Sequence, residues 1–372
     1  MKRILALTLI LAMLLCGCAK KHTYTPDPAT TVTESAAEET TEATTEPTTV
    51  PTTEPAPVYF NPLNGEILDE PYTGRIYAST ISNIPDALPH VSVNEADILM
   101  ECFVNGSIIR CLALFTDISD VEAIGSVRST RLMFNDIVQH YDAILTHAGG
   151  SGFVLSDANS RGIDDFNIDA WAIASAGTSY RDKEYGRGYE HSLFGIGSGI
   201  IAYMESNGVR TTQPADKDYC LTFTEDGTPA GGEDAEKISV TFSYNRSKKE
   251  TIMQYDADLG KYVYYQYGKM MTDQITEEPE AFENVIIMFA DITTRFGSGA
   301  NYHTADFVAG GEGYYACGGK IIPIKWTCDS EDSPFRFLTQ SGEQLDLGMG
   351  NSYIAIAPID SPVTYGAAET AE

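Results

Sequence analysis

Hydrophobic and polar positions divide the chain into regions of different pattern. Residues 4–15 are apolar except Thr8 and follow Lys2 and Arg3. Residues 19–57 carry almost no apolar periodicity. Apolar runs then start near Val58. Residues 98–104 and 108–115 flank Asn105-Gly106, which predicts a β-hairpin. Leu132, Ile137 and Val138 predict a helix ending near His140, and 143–146 predicts a short buried strand stopped by Gly149-Gly150-Ser151. Helices are expected over 153–162 and 192–207, the second with Gly208 just past its end. From residue 237 the pattern changes to short strands at 238–244, 251–255, 262–267, 285–290, 313–317, 320–326 and 353–357, with turns between them. The expected class is α+β: a mixed α/β domain over 58–212, a polar linker over 213–235, a mostly antiparallel β-rich domain over 236–360, and a flexible tail over 361–372.

The first stretch reads as a lipoprotein signal peptide, residues 1–17. Its apolar run is too short to cross a bilayer comfortably, and no stop-transfer pattern follows. Leu15-Cys16-Gly17-Cys18 fits a bacterial lipobox, with Cys18 as the lipidated residue. Cys16 is the poorer acceptor, because large Leu15 precedes it directly. Acyl chains such as palmitate anchor at about 0.8 kcal/mol per buried methylene. The expected location is the extracytoplasmic face of the cell membrane. Residues 18–57 are rich in Thr, Glu and Pro, with no Lys or Arg between His22 and Gly74. Such a segment buries too little apolar surface to offset its ordering entropy, and it reads as an extended, disordered tether.

Charge narrows the partners. The formal net charge is −29, and cleavage after Gly17 removes two further cations. Nucleic-acid binding requires Lys and Arg to release counterions, so it is not expected. Polybasic adhesion to anionic lipid is not expected either, which leaves the anchoring to the acyl chains. Five cysteines remain after the signal region, and none has paired metal-site spacing. Cys102 and Cys111 would lie diagonally on one sheet face if Asn105-Gly106 formed a two-residue turn. They are therefore either buried thiols or a disulfide.

The strongest candidate chemistry is Gly125-Ser126-Val127-Arg128-Ser129-Thr130-Arg131, between an apolar strand and a helix. Helix N-termini favour anions, and Arg binds phosphate or carboxylate through two parallel hydrogen bonds. Arg128, Ser129 and Arg131 are thus candidate ligand-binding residues, unless both arginines pair with the chain's own carboxylates. His147, Gly149, Gly150 and Ser151 form a second candidate at a strand end, with His147 as base, donor or structural residue. Arg181, Asp182 and His191 form a third; Arg181 and Asp182 alternatively make a local ion pair. Gly195-Ile196-Gly197-Ser198-Gly199 is a weak match to a dinucleotide loop and Asp256-Ala257-Asp258-Leu259-Gly260 a weak match to a calcium loop. No nucleophile elbow, zinc-protease helix or Walker loop is present, so no catalytic residue, cofactor or metal is assigned.

Several motifs together resemble the YerB-like family of bacterial lipoproteins, whose two domains are of unknown function. They are Asn94-Glu95-Ala96-Asp97, Gly125 through Arg131, His147 through Ser151, Arg181-Asp182, His191, Asn284-Val285-Ile286, and Gly318-Gly319-Lys320 with Trp326. Ser126, Thr130, Leu132, Glu190 and Ser192 depart from the family pattern. The resemblance spans residues 58–360 and implies lipoprotein architecture without an activity. Two functions follow as expectations. The first is a tethered module that binds an anionic cell-wall glycan or an envelope protein through its arginines. The second is an envelope enzyme loosely similar to LytR–CpsA–Psr phosphotransferases, with Asp97 or Asp182 supplying a carboxylate. The resemblance to those phosphotransferases is one of fold only.

Overall fold

Strands Ile98–Asn105 and Ile108–Phe115 pair antiparallel and are buried along nearly their whole length. Such continuous apolar strands need a layer on each face, and the computed structural model supplies both. It describes residues 57–297 and 300–368. The signal segment, Cys18 and the tether up to residue 56 lie outside the described residues. The hairpin sits inside a large mixed sheet. Its order is Glu233–Asp234, Lys320–Thr327, Gly311–Cys317, Asn284–Ala290, Ser352–Pro358, Ile98–Asn105, Ile108–Phe115, Tyr77–Ser82, Ile144–His147, Asp165–Asn167.

One face of this sheet receives the helix Leu132–Tyr141, whose Phe134, Ile137 and Val138 pack with Met100, Leu112 and Leu114. The other face receives a six-stranded sheet, through Val240, Phe242, Met253 and Tyr264 against Leu99, Phe103 and Tyr353. The class is α+β, as the pattern predicts. Helices lie in the N-terminal region and strands dominate the C-terminal region. Most C-terminal pairings are antiparallel, but Asn284–Ala290 runs parallel to Ser352–Pro358, which runs parallel to Ile98–Asn105. The two sequence regions therefore share one sheet, and residues from 56 onward form one compact unit.

The structure corrects several local expectations. Asn105 pairs with Ile108, so the turn is Gly106-Ser107, and the register shifts between Phe103 and Asn105. That shift places Cys111 opposite Glu101, beside Cys102 on the adjacent position rather than diagonal to it. The two thiols face opposite cores, and all five described cysteines are free. The helix expected at 192–207 starts at Gly197; Leu193–Gly195 is a strand. Its glycines serve close packing: a Cβ on Gly197 would sit 1.8 Å from the Ile118 carbonyl oxygen. Val363–Gly366, expected in a flexible tail, pairs with Lys237–Val240. Thr222–Thr224, inside the expected linker, pairs with Asp346–Gly348.

Candidate functional site

The segment from Gly125 to Arg131 is fixed on three sides. Gly125 pairs with Phe194, and a Cβ at Gly125 would lie 2.7 Å from the Phe194 ring. The Val127 N–H donates to the Leu193 carbonyl at 2.8 Å, and the Arg128 N–H donates to the Thr80 carbonyl at 3.0 Å. The Ala148 N–H donates to the Arg128 carbonyl at 3.0 Å, and the Ser129 hydroxyl to the Ala148 carbonyl at 2.8 Å. Two of the motifs seen in the sequence are thus zipped together. They deliver two helix N-termini to one place, those of Leu132–Tyr141 and Gly152–Arg161. Ser151 caps the second helix through the Val154 N–H, whereas Arg131 caps the first without a side-chain bond.

Arginines gather in front of these ends. Arg110 is only 4% exposed, and its Nη1 donates to the Ser129 carbonyl at 2.5 Å. No described carboxylate pairs with it. Burial holds its guanidinium well below the ordinary value, and Arg131 and Arg128 push it further down, with Glu190 opposing. Arg131 donates to Asn105 Oδ1 at 2.9 Å and to the Thr130 carbonyl at 2.7 Å, and burial lowers it too. Arg128 meets Glu190 twice, at the backbone carbonyl and at the carboxylate, both 3.0 Å. His191, 9% exposed, leaves its buried Nδ1 without a partner. Burial lowers it first and Arg128 second.

The other sequence candidates are placed differently. His147 is buried, with Nδ1 2.8 Å from the Gly149 carbonyl and Nε2 2.8 Å from Asp165. Both ring nitrogens are engaged, so His147 braces the loop. Gly149 has φ +73°, and its N–H donates to Asn167 at 2.9 Å. A Cβ on Gly150 would press on Leu155 at 3.0 Å. Arg181 lies across the Tyr189–His191 turn, donating to Asp169 and to the Tyr189 carbonyl, both at 2.6 Å, and stacking 3.7 Å over the Tyr189 ring. Asp182 accepts from the N–H groups of Glu184 and Tyr185, which hold it below the usual carboxylate range. Arg181 does not pair with Asp182; its carboxylate partner is Asp169.

Arg128, Ser129, Arg131 and His191 therefore share one basic cluster with Arg110, which sequence reasoning missed. His147, Gly149, Gly150 and Ser151 support it from beneath. Asp97 lies at the opposite end of the hairpin, bonded to Asn61, Asn64 and Thr116, and burial pushes it up to about 6. Among the described residues, no group of three or more His, Cys, Asp and Glu side chains is arranged to hold a metal.

A mixed sheet with helices over the N-terminal half, a strand-rich C-terminal half and an arginine cluster at a strand end define a two-part α+β protein. Two family models match it: "Protein of unknown function (DUF3048) N-terminal domain" over residues 63–210 and "Protein of unknown function (DUF3048) C-terminal domain" over 238–354. The chain belongs to this DUF3048 family, in agreement with the YerB-like resemblance. It is 26% identical over 268 residues to "Putative lipoprotein YerB" of Bacillus subtilis (strain 168), covering 71% of this chain and 77% of that protein. The crystal structure of YerB protein from Bacillus subtilis superposes with a TM-score of 0.69 at 24% identity, covering 82% of this chain and 99% of that one. That likeness shows the fold.

Proposed function

We propose that this protein is a lipid-anchored envelope protein that binds an anionic group at Arg110, Arg128 and Arg131. Arg110 carries the reading. It is a buried cation with two like charges beside it and no carboxylate partner among the described residues. In a chain with 53 acidic and 24 basic residues, an ion-pair partner would be easy to supply. A buried, unpaired charge is costly, and a phosphate or carboxylate seated against the three guanidinium groups relieves both the repulsion and the desolvation. The adjoining helix N-termini act in the same direction.

The ligand this chemistry fits is a phosphorylated or carboxylated envelope glycan, or an acidic protein partner reaching the same arginines. The enzyme reading looks to Asp97 or Asp182 for its carboxylate, but Asp97 lies at the opposite end of the hairpin and Asp182 is held by the N–H groups of Glu184 and Tyr185. The test is calorimetric titration with pyrophosphate and with phosphate-bearing wall glycan fragments. Arg128→Gln with Arg131→Gln should weaken binding at least about tenfold, as two charge-assisted contacts are lost. Thermal stability should change little. A double variant that unfolds, with binding unchanged in its folded fraction, would make the arginines structural.

A further inference from the structure

A second basic surface lies along the six-stranded sheet. A groove of about 790 Å³ is lined by the strand Ser247–Asp256, by Tyr265 and by the hairpin turn residue Ser107. Along that strand Lys249, Thr251 and Met253 are buried, with Lys249 still lining the groove, while Lys248, Glu250, Ile252 and Gln254 face it. Lys237 and Arg246 also line it.

Among the described residues, three unpaired cations gather along this groove. Lys249 is neutralised from below by Glu101, itself fully buried and bonded to Thr251, Tyr264 and Tyr353. Glu250 accepts from Ser239 at 2.6 Å. Lys237, Arg246 and Lys248 have no ion-pair or side-chain hydrogen-bond partner among the described residues, and neither do Ser107, Gln254 and Tyr265. Elsewhere Arg75, Arg161, Arg187 and Arg210 each meet a carboxylate. Three free cations against one occupied carboxylate make a positive groove on a strongly acidic chain.

We propose that this groove binds an extended phosphate polymer, separately from the Arg110 site. The backbone favours this over an acidic peptide. Peptides add to sheets through free strand edges, but Thr251–Gln254 is paired on both sides, to Lys237–Val240 and to Val263–Gln266, and the edge left open at Ser247–Glu250 is only four residues long. Recognition therefore falls to side chains, and the free ones carry N–H and O–H donors. A phosphate chain offers acceptors only, repeated at short intervals, and Arg246 can hold one phosphate through two bonds. Ile84, Ile109 and Ile252 give the groove apolar walls, which lower the local dielectric around the charges.

The probes are inorganic polyphosphate and poly-L-glutamate, titrated against the mature full-length protein at low and moderate salt. Polyphosphate should bind, and with the first site removed by Arg128→Gln and Arg131→Gln, adding Arg246→Gln and Lys248→Gln should weaken the remaining binding at least about tenfold. Two lost phosphate contacts should also flatten the slope of log affinity against log salt by about 1.4, taking the single-strand nucleic-acid value as the guide. Arg128→Gln with Arg131→Gln should leave most of this binding intact, which separates failure of this groove from failure of the first site. Equal or tighter binding of poly-L-glutamate would overturn the polymer assignment in favour of an acidic peptide. No polyphosphate binding at low salt, or binding lost in the Arg128/Arg131 variant and kept in the Arg246/Lys248 variant, would overturn the groove itself.

Discussion

Glu190→Gln should strengthen anion binding at the arginine cluster. Among the described residues, Glu190 is the carboxylate whose charge reaches Arg110, Arg128 and His191 together. Its side chain is 72% exposed against 21% for Arg128, and their contact is 3.0 Å. An ion pair this open contributes at most about 0.5 kcal/mol to folding. Gln keeps the neighbouring backbone carbonyl that accepts from Arg128 Nη1, so stability should hardly move. The effect on a ligand is larger. An anion bridging Arg128 from the other side lies about 6 Å from the carboxylate, and at an effective dielectric of about 60 the repulsion is about 1 kcal/mol. Removing it raises affinity about fivefold. Pyrophosphate titration of wild type and variant, with melting curves on both, reads the two quantities independently. Unchanged or weaker binding in Glu190→Gln would refute the placement of the ligand. A melting temperature lowered by many degrees would show that the pair serves the fold.

Two further outcomes follow. His191 is held below its ordinary value of about 6.5 by burial and by Arg128, and a bound anion favours its protonated form. Anion affinity should therefore rise as pH falls from 7 towards 5, and His191→Gln should flatten that profile; a flat wild-type profile removes His191 from the site. Without ligand the sign reverses for stability. The unfolded chain takes up the proton first, so the contribution from neutral His191 is present above its unfolded value and lost as pH falls. For the lipid anchor, Cys18→Ser should release the mature protein from the membrane fraction or leave unprocessed precursor, and unchanged mass with membrane retention counts against lipidation.

Local pattern made most elements legible. Residues 98–115 declare a hairpin because their runs are apolar on both faces, and Leu132–Tyr141 declares a helix through its periodicity. The strand Tyr77–Ser82 was hidden because Ser79, Thr80 and Ser82 are polar yet buried. Thr80 satisfies its hydroxyl on the Arg128 carbonyl, a long-range contact that leaves no mark on periodicity. The hairpin turn was misplaced by one residue because a bulge is set by tertiary register rather than by the Asn-Gly signal. In the site, Arg128 and Arg131 stood out among hydroxyl residues. Arg110 did not, because it interrupts an apolar strand and its spatial neighbours are 18 and 21 positions away.

Arg110 also separates a binding role from a folding role most cleanly. A cation that serves stability sits on a carboxylate, and cutting such a buried pair costs about 3–5 kcal/mol because the other charge is stranded. Arg110 strands no charge: its hydrogen-bond partner is the Ser129 carbonyl, Arg131 and Arg128 disfavour its charge, and only the unpaired influence of Glu190 favours it. Arg110→Met fills a similar volume along the strand face that carries Leu112 and Leu114. It removes the buried charge and the repulsion and gives up one hydrogen bond, a loss of about 1 kcal/mol. These terms oppose each other, so urea unfolding should place the variant within about 1 kcal/mol of wild type. Pyrophosphate binding should fall at least about tenfold. A loss of more than about 3 kcal/mol would mean that Arg110 is part of the framework. Binding that survives the substitution would mean that the anion seats on Arg128 and Arg131 alone, outside the buried strand end.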